Sequence, residues 1–168
     1  MQLAGYTIRK LGVADCAAVQ SLFESDPRYF EIVQGAPAAP DEAEILFADL
    51  PPGKSQDDKF VYGVFEKEGK IAAILDLVRG YPEPDIWYLG LIFVAPEFRD
   101  KRLGSRLIDL LCVYVSGQGG KALRLGVVRT NTRARALYDR LGFRFVVERE
   151  RAVSPEFPVM VEVMERPL

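Results

Sequence analysis

The stretch IFVAPEFRDKRLGSRL, from Ile92 to Leu107, decides how the rest of the chain is read. An apolar run from Ile86 to Val94 predicts a strand buried on both faces, and Pro96 stops it. After a short charged turn, apolar residues return at Leu103, Leu107, Ile108, Leu110, Leu111, Tyr114 and Val115, the spacing of one helix face. Strand, basic turn and helix thus follow one another directly. The first amides of such a helix have no partner within it, and the positive end of its dipole points the same way. The turn from Arg99 to Ser105 is therefore a candidate phosphate site.

Toward the N-terminus, Tyr6 to Leu11 reads as a strand, and Asp15 as the N-cap of a helix carrying Ala18, Val19 and Leu22 on one side. A short helix over Arg28 to Val33 is stopped by Gly35 and the prolines at 37 and 40. A third spans Asp41 to Leu50, with Ile45, Leu46 and Leu50 on its apolar face. Pro51 to Asp58 is a polar surface loop. Phe60 to Phe65 and Ile71 to Val78 form a hairpin. Beyond the central helix, Gly117 to Gly120 is a stop, and Lys121 to Val128 a strand. Asn131 caps a helix whose apolar face is Ala134, Leu137, Tyr138 and Leu141. Phe143 to Arg149 and Val159 to Glu165 alternate as two strands able to pair. The expected architecture is a single α/β domain of the α+β type over residues 1–168. Its sheet is mixed, mostly antiparallel, of about six or seven strands flanked by helices.

Composition narrows the function. A net charge of −2 without a clustered basic surface argues against nucleic acid as a partner. No apolar run approaches membrane-spanning length and no signal-peptide core precedes the first strand, so a cytoplasmic protein without a membrane partner is expected. Cys16 and Cys112 both fall in helical patterns and read as packed thiols. There is no histidine, which excludes Ser-His-Asp and Cys-His catalysis and His-ligated zinc; no metal is expected. Proton transfer is left to carboxylates, Tyr, Lys, Cys, water or main chain.

No G-x-x-x-x-G-K-S/T occurs, and no G-x-G-x-x-G follows a strand, which removes the P-loop and dinucleotide fingerprints. What stands there is RDKRLG. Together with the second stretch NTRARALYDRLGF, Asn131 to Phe143, it resembles the GNAT superfamily of acyl-CoA-dependent N-acetyltransferases. Val94, Pro96, Arg99 and Gly104 match the family's first motif, whereas Arg102 stands where glycine is usual. Asn131, Ala134, Leu137, Tyr138, Gly142 and Phe143 match its second motif.

The resemblance implies that the fourth and fifth strands splay apart, freeing the main chain near Phe93 and Val94 to bond the pantetheine amides of acetyl-CoA. Its pyrophosphate would rest on the amides of Arg99, Asp100, Lys101, Arg102, Leu103, Gly104 and Ser105, and Asn131 would reach the cofactor arm. Tyr138 would act as general acid toward the leaving thiolate. Where some family members carry a glutamate base, this chain has Tyr88. Asp76, in an otherwise apolar run, is a candidate base or ammonium anchor. By location, acceptor contacts are expected from Tyr29, Phe30, Glu31, Tyr81, Tyr88 and Trp87. The expected activity is direct acetyl transfer from acetyl-CoA to a small amine. The alternatives are a silent acyl-CoA sensor and transfer of a longer acyl group. Exposed edge strands near the C-terminus suit a homodimer.

Overall fold

The computed structural model describes residues 1–154 and 157–168. Seven strands form one sheet: β1 (Thr7–Lys10), β2 (Lys59–Phe65), β3 (Ile71–Arg79), β4 (Ile86–Val94), β5 (Ala122–Val128), β6 (Arg144–Ser154) and β7 (Phe157–Pro167). Their order across the sheet is β1-β2-β3-β4-β5-β7-β6. Only β4 and β5 run parallel; every other neighbouring pair is antiparallel. Five helices flank the sheet: α1 (Cys16–Glu24), α2 (Pro27–Gln34), α3 (Glu42–Ala48), α4 (Leu103–Gly117) and α5 (Thr132–Arg140). This is the mixed α/β architecture that the pattern of elements predicts. Among the described residues no helix is long and apolar enough to cross a membrane.

Two apolar clusters divide the faces of the sheet. On one face, Leu75, Leu77, Trp87, Leu89, Leu123 and Leu125 meet Leu103, Leu107 and Leu111 of α4 and Tyr138 of α5. On the other, Val61, Ile74 and Phe93 meet Val19 and Phe23 of α1, Phe30 of α2 and Ala43 of α3. The period of two along each strand sorts the chain between these layers. Burying one Leu or Phe completely contributes about 1.5–3 kcal/mol, so α4, with four side chains of zero exposure, is pinned firmly to the sheet. Both cysteines are free.

Several local expectations change. Asp15 stands at the N-cap position of α1 as expected but gives the helix no side-chain bond: its carboxylate accepts from the Gly12 amide (3.0 Å) and pairs with Arg9 (2.7 Å), closing a short 3-10 turn ahead of the helix. The third helix stops at Ala48, because Asp49 turns to extended backbone. Trp87 is buried in the α4 layer, stacked on Phe60 at 5.5 Å, which removes it from any acceptor site. The strand from Ile86 to Val94 is not sealed on both faces along its length, since Gly90 is exposed and Leu91 and Ile92 are half-buried.

The reason is a fork. β4 and β5 pair at four rungs, Ile86–Ala122 to Leu89–Leu125, and then part. β4 continues only on β3, and β5 only on β7. The first residue past the last rung is glycine on both strands, Gly90 and Gly126. On β4 this glycine is the extra residue of a bulge, because Asp76 faces Leu91 while Leu77 faces Leu89.

Candidate active site

A cavity of about 620 Å³ opens at the fork and passes through the sheet. From the α4–α5 layer come Asn131, Ala134 and Tyr138; from the other come Tyr29, Asp76 and Tyr88. The sheet's own splay therefore brings together residues that start on opposite faces.

At the open end of β4, the turn leading into α4 has two non-glycine residues in the left-handed region, Asp100 (φ 61°) and Arg102 (φ 59°). Arg102 adopts the backbone that glycine would adopt there. Alternating right- and left-handed residues turn successive N–H groups toward one concavity, which suits an anion. Among the described residues, the amides from Asp100 to Ser105 have no hydrogen-bond acceptor, whereas Arg99 N–H donates to Pro96 O (3.2 Å) and Arg106 N–H to Arg102 O (3.1 Å). The cradle is thus one residue shorter than the sequence suggested. Asp100 is paired with Arg133 of α5, which ties the turn to the second helix of the site.

The side chain of Arg99 also differs from expectation. It is turned inward, with Nε donating to Val94 O (2.9 Å) and the guanidinium paired with Asp26 between α1 and α2. Its ring-face contact with Phe93, 5.7 Å to the centroid, fixes it there. Arg99 ties the α1–α2 junction to the end of β4 and offers neither amide nor guanidinium to the turn.

Main-chain direction along β4 follows from one bond, Ala95 N–H to Ala72 O (2.9 Å). With the register Ile74↔Phe93 and Ala73↔Val94, antiparallel alternation turns the Phe93 amide and carbonyl toward β3. Those of Ile92 and Val94 face the fork. Val94 O is occupied by Arg99, so the free groups at the fork are Ile92 N–H and C=O and Val94 N–H. The pairing expected of Phe93 and Val94 shifts to Ile92 and Val94.

Asn131 caps α5, its Oδ1 accepting from Ala134 N–H (3.2 Å), and its side chain borders the cavity. Tyr138 packs at a tilt on Phe143, with ring centroids 5.7 Å apart, and its hydroxyl has no hydrogen-bond partner among the described residues. Burial, with a smaller contribution from Tyr29, pushes its pKa above the usual tyrosine value, so it keeps its proton. Burial likewise pushes Tyr29 up to about 12.

Beneath the fork lies a buried ion pair. Lys59, 5% exposed, donates from Nζ to Asp76 Oδ2 (3.0 Å) and to Asp49 O (2.9 Å). Asp76, 7% exposed, has its other oxygen, Oδ1, without a partner. Burial raises the Asp76 pKa and Lys59 pulls it back only in part. A Cβ on Gly90 would lie 2.7 Å from Asp76 Oδ2, so the bulge glycine is what lets the carboxylate sit against the backbone of β4. Glu31, by contrast, is exposed on α2 and does not border the cavity; helical periodicity carries it to the outer face once Phe30 turns inward. Lys59, Gly90 and Gly126 escaped the sequence reading. A glycine inside an apolar strand run marks a bulge or a close approach, and that signal was available in both WYLGL and LRLGV.

The Acetyltransferase (GNAT) family model matches residues 19–143, about three quarters of the chain. The chain belongs to the GNAT acetyltransferase family. It is 27% identical over 139 residues to an N-acetyltransferase of Bacillus subtilis, covering 81% of this chain and 88% of that one. Over 63 residues it is 38% identical to the thialysine N-epsilon-acetyltransferase of Bos taurus, covering 38% of this chain and 37% of that one. An acetyltransferase from Thermus thermophilus shares the fold at a TM-score of 0.79, with 19% identity and complete coverage of both chains. In this GNAT acetyltransferase the turn into α4 places Arg102 in the left-handed region.

Proposed function

We propose that this protein transfers an acetyl group from acetyl-CoA to the primary amine of a small-molecule acceptor, directly within a ternary complex. The observation that carries the reading is Tyr138, a hydroxyl with no hydrogen-bond partner among the described residues, kept protonated by burial at the edge of the fork. Unpaired amides from Asp100 to Ser105 supply the anion cradle such a donor needs. A Cβ on Gly104 would meet only Val94 Cγ2 (3.8 Å) and Leu137 Cδ2 (4.0 Å), ordinary contacts. The fold itself does not demand glycine there, which supports a ligand lying against it. The same fold at a TM-score of 0.74, with 18% identity and 98% and 96% coverage of the two chains, is found in the spermidine N-acetyltransferase of Vibrio cholerae in complex with CoA and spermine.

When bound, acetyl-CoA supplies the acetyl group and a thiolate leaving group. Ile92 and Val94 hold the pantetheine arm by strand-like bonds, the 100–105 amides hold the pyrophosphate, and the exposed Arg102 side chain adds a charge-assisted contact to it. Asn131 orients the arm. As the amine nitrogen bonds the acetyl carbon and the C–S bond breaks, the Tyr138 hydroxyl delivers its proton to the departing sulfur and regains one from that nitrogen, so the amine proton ends on the thiol. Asp76 draws the acceptor nitrogen toward Gly90, while Tyr29 and Tyr88 wall it in. The free β6 edge, with Phe145, Val146 and Val147 exposed, supports association with a second copy.

The test is release of free thiol from acetyl-CoA across an amine panel. Tyr138→Phe should lower kcat by about a hundredfold, within the range for a lost general acid, with CoA affinity almost unchanged. An unchanged kcat removes Tyr138 from the chemistry. No release with any amine, alongside a CoA-induced rise in Tm, would favour a sensor over an enzyme.

A further inference from the structure

The face of the sheet opposite α4 and α5 is covered by α1–α3 over β1–β4, and a second cavity of about 270 Å³ lies beyond them over β5–β7. It shares Tyr81, Tyr88, Arg151 and Val161 with the main cavity, so the two are continuous. Its walls hold Arg124, Arg149 and Arg151.

These arginines are not equivalent. Arg124 is neutralised by Glu165, with Nε 2.7 Å from Oε2, and lies 3.9 Å from Glu83. Arg149 and Arg151 alternate on one side of β6, opposite Val161 and Val159. Among the described residues neither has an acidic partner. Arg151 spends one N–H on Val33 O at the end of α2 (2.8 Å), which leaves the rest of its fork free and fixes its position across the cavity. Glu150, exposed, is the acidic residue among those lining this second cavity, and strand alternation turns it away from its two neighbours. Burial raises the Tyr88 pKa above the usual tyrosine value, and Arg151, Arg149 and Arg124 pull it back only in part. At the other end of the main cavity, at the bulge, lies Asp76, held by Lys59 through Oδ2 and with Oδ1 left as a free acceptor among the described residues.

We infer that the acceptor is an amino carboxylate, with its amine at the Gly90–Asp76 end and its carboxylate received by Arg149 and Arg151. The inference rests on the acetyl-transfer reading above and names the class of its acceptor. Two guanidinium groups without an acidic partner among the described residues, lining one pocket beside an aromatic wall, match the planar, bidentate geometry of a carboxylate. A polyamine or simple alkylamine leaves them unused.

The experiment compares kcat/KM for matched acceptors that differ only by the carboxylate: lysine against cadaverine, ornithine against putrescine, β-alanine against ethylamine, phenylalanine against phenethylamine. The carboxylated member of at least one pair should be preferred by about tenfold or more, the size of a charged hydrogen bond. Arg149→Gln/Arg151→Gln should bring that ratio close to one, and Arg151→Lys should retain part of it. Arg149→Gln alone, which removes no hydrogen bond among the described residues, separates this effect from a folding defect. A wild-type ratio at or below one in every pair, or a ratio that survives the double substitution, overturns the inference. If none of these amines is acetylated, N-acetyl-lysine and N-acetyl-β-alanine titrated into the CoA-loaded protein decide it. Binding weakened about tenfold by Arg149→Gln supports the site, and no binding overturns it. Failure of every amine to release thiol from acetyl-CoA tells instead against the transferase reading.

Discussion

Arg102 holds a left-handed backbone where a side chain is costly, and it does so at the cradle. Relief of that conformation is worth about 1–2 kcal/mol, offset by the larger unfolded-state entropy of glycine, about 0.5–1 kcal/mol. Arg102→Gly should therefore raise unfolding stability by up to about 1 kcal/mol in urea titrations. If its guanidinium meets the pyrophosphate, the same change should weaken CoA binding several-fold, and less so at high salt. Stability up with affinity down is the expected signature; affinity unmoved would leave the amides alone in that role. Tyr138 makes a second claim at this level. With its pKa above the ordinary value of 10, the hydroxyl stays protonated as pH rises, so kcat should show no alkaline fall up to about pH 10. A kcat that drops with an apparent pKa below 9 would assign the acid elsewhere.

The elements divide by how local their causes are. The boundaries of α4 and α5 were readable because local signals set them: the Gly117–Gly120 stop and the Asn131 cap act within one turn. The fate of Arg99 was not, since its partner Asp26 lies 73 residues away and no spacing within the turn announces it. The bulge on β4 stands between these cases, with Gly90 visible but its partner hidden. Gly90→Ala would press a Cβ against a carboxylate already held by Lys59, so it should cost about 1–3 kcal/mol and depress turnover. Lys59→Met probes the other side of that contact. It leaves Asp76 buried and uncompensated, a loss of about 3–5 kcal/mol at pH 7. The sign with pH is definite. A carboxylate whose folded pKa is raised gains protons on folding, so its penalty is absent below its unfolded value near 4 and grows as pH rises through the folded value. Losing Lys59 widens that window, so urea midpoints should show Lys59→Met destabilised far less at pH 4 than at pH 7. Equal loss at both would mean the damage is packing rather than charge.

Taken whole, the molecule is two half-sheets hinged at a pair of glycines. Strand runs and helix faces revealed the layers, because successive side chains of a strand point to opposite faces of the sheet and so into one apolar cluster or the other. The opening between the halves was reached only through family resemblance, since a parallel pair that stops after four rungs leaves no mark in composition. Its consequence is measurable by hydrogen exchange. Before CoA binds, Phe93 N–H should already be protected, because alternation places it in the β3 ladder, whereas Ile92, Val94 and the amides from Asp100 to Ser105 should exchange quickly. Saturating CoA should slow this second set and leave Phe93 unchanged. At a hundred times its Kd it should also add about 2.7 kcal/mol to global stability. Ile92 and Val94 still exchanging quickly with CoA bound would mean that the arm does not pair with β4. Arg99 Nε occupies Val94 O, so the arm should bond Ile92 through both its main-chain groups and Val94 through its N–H alone.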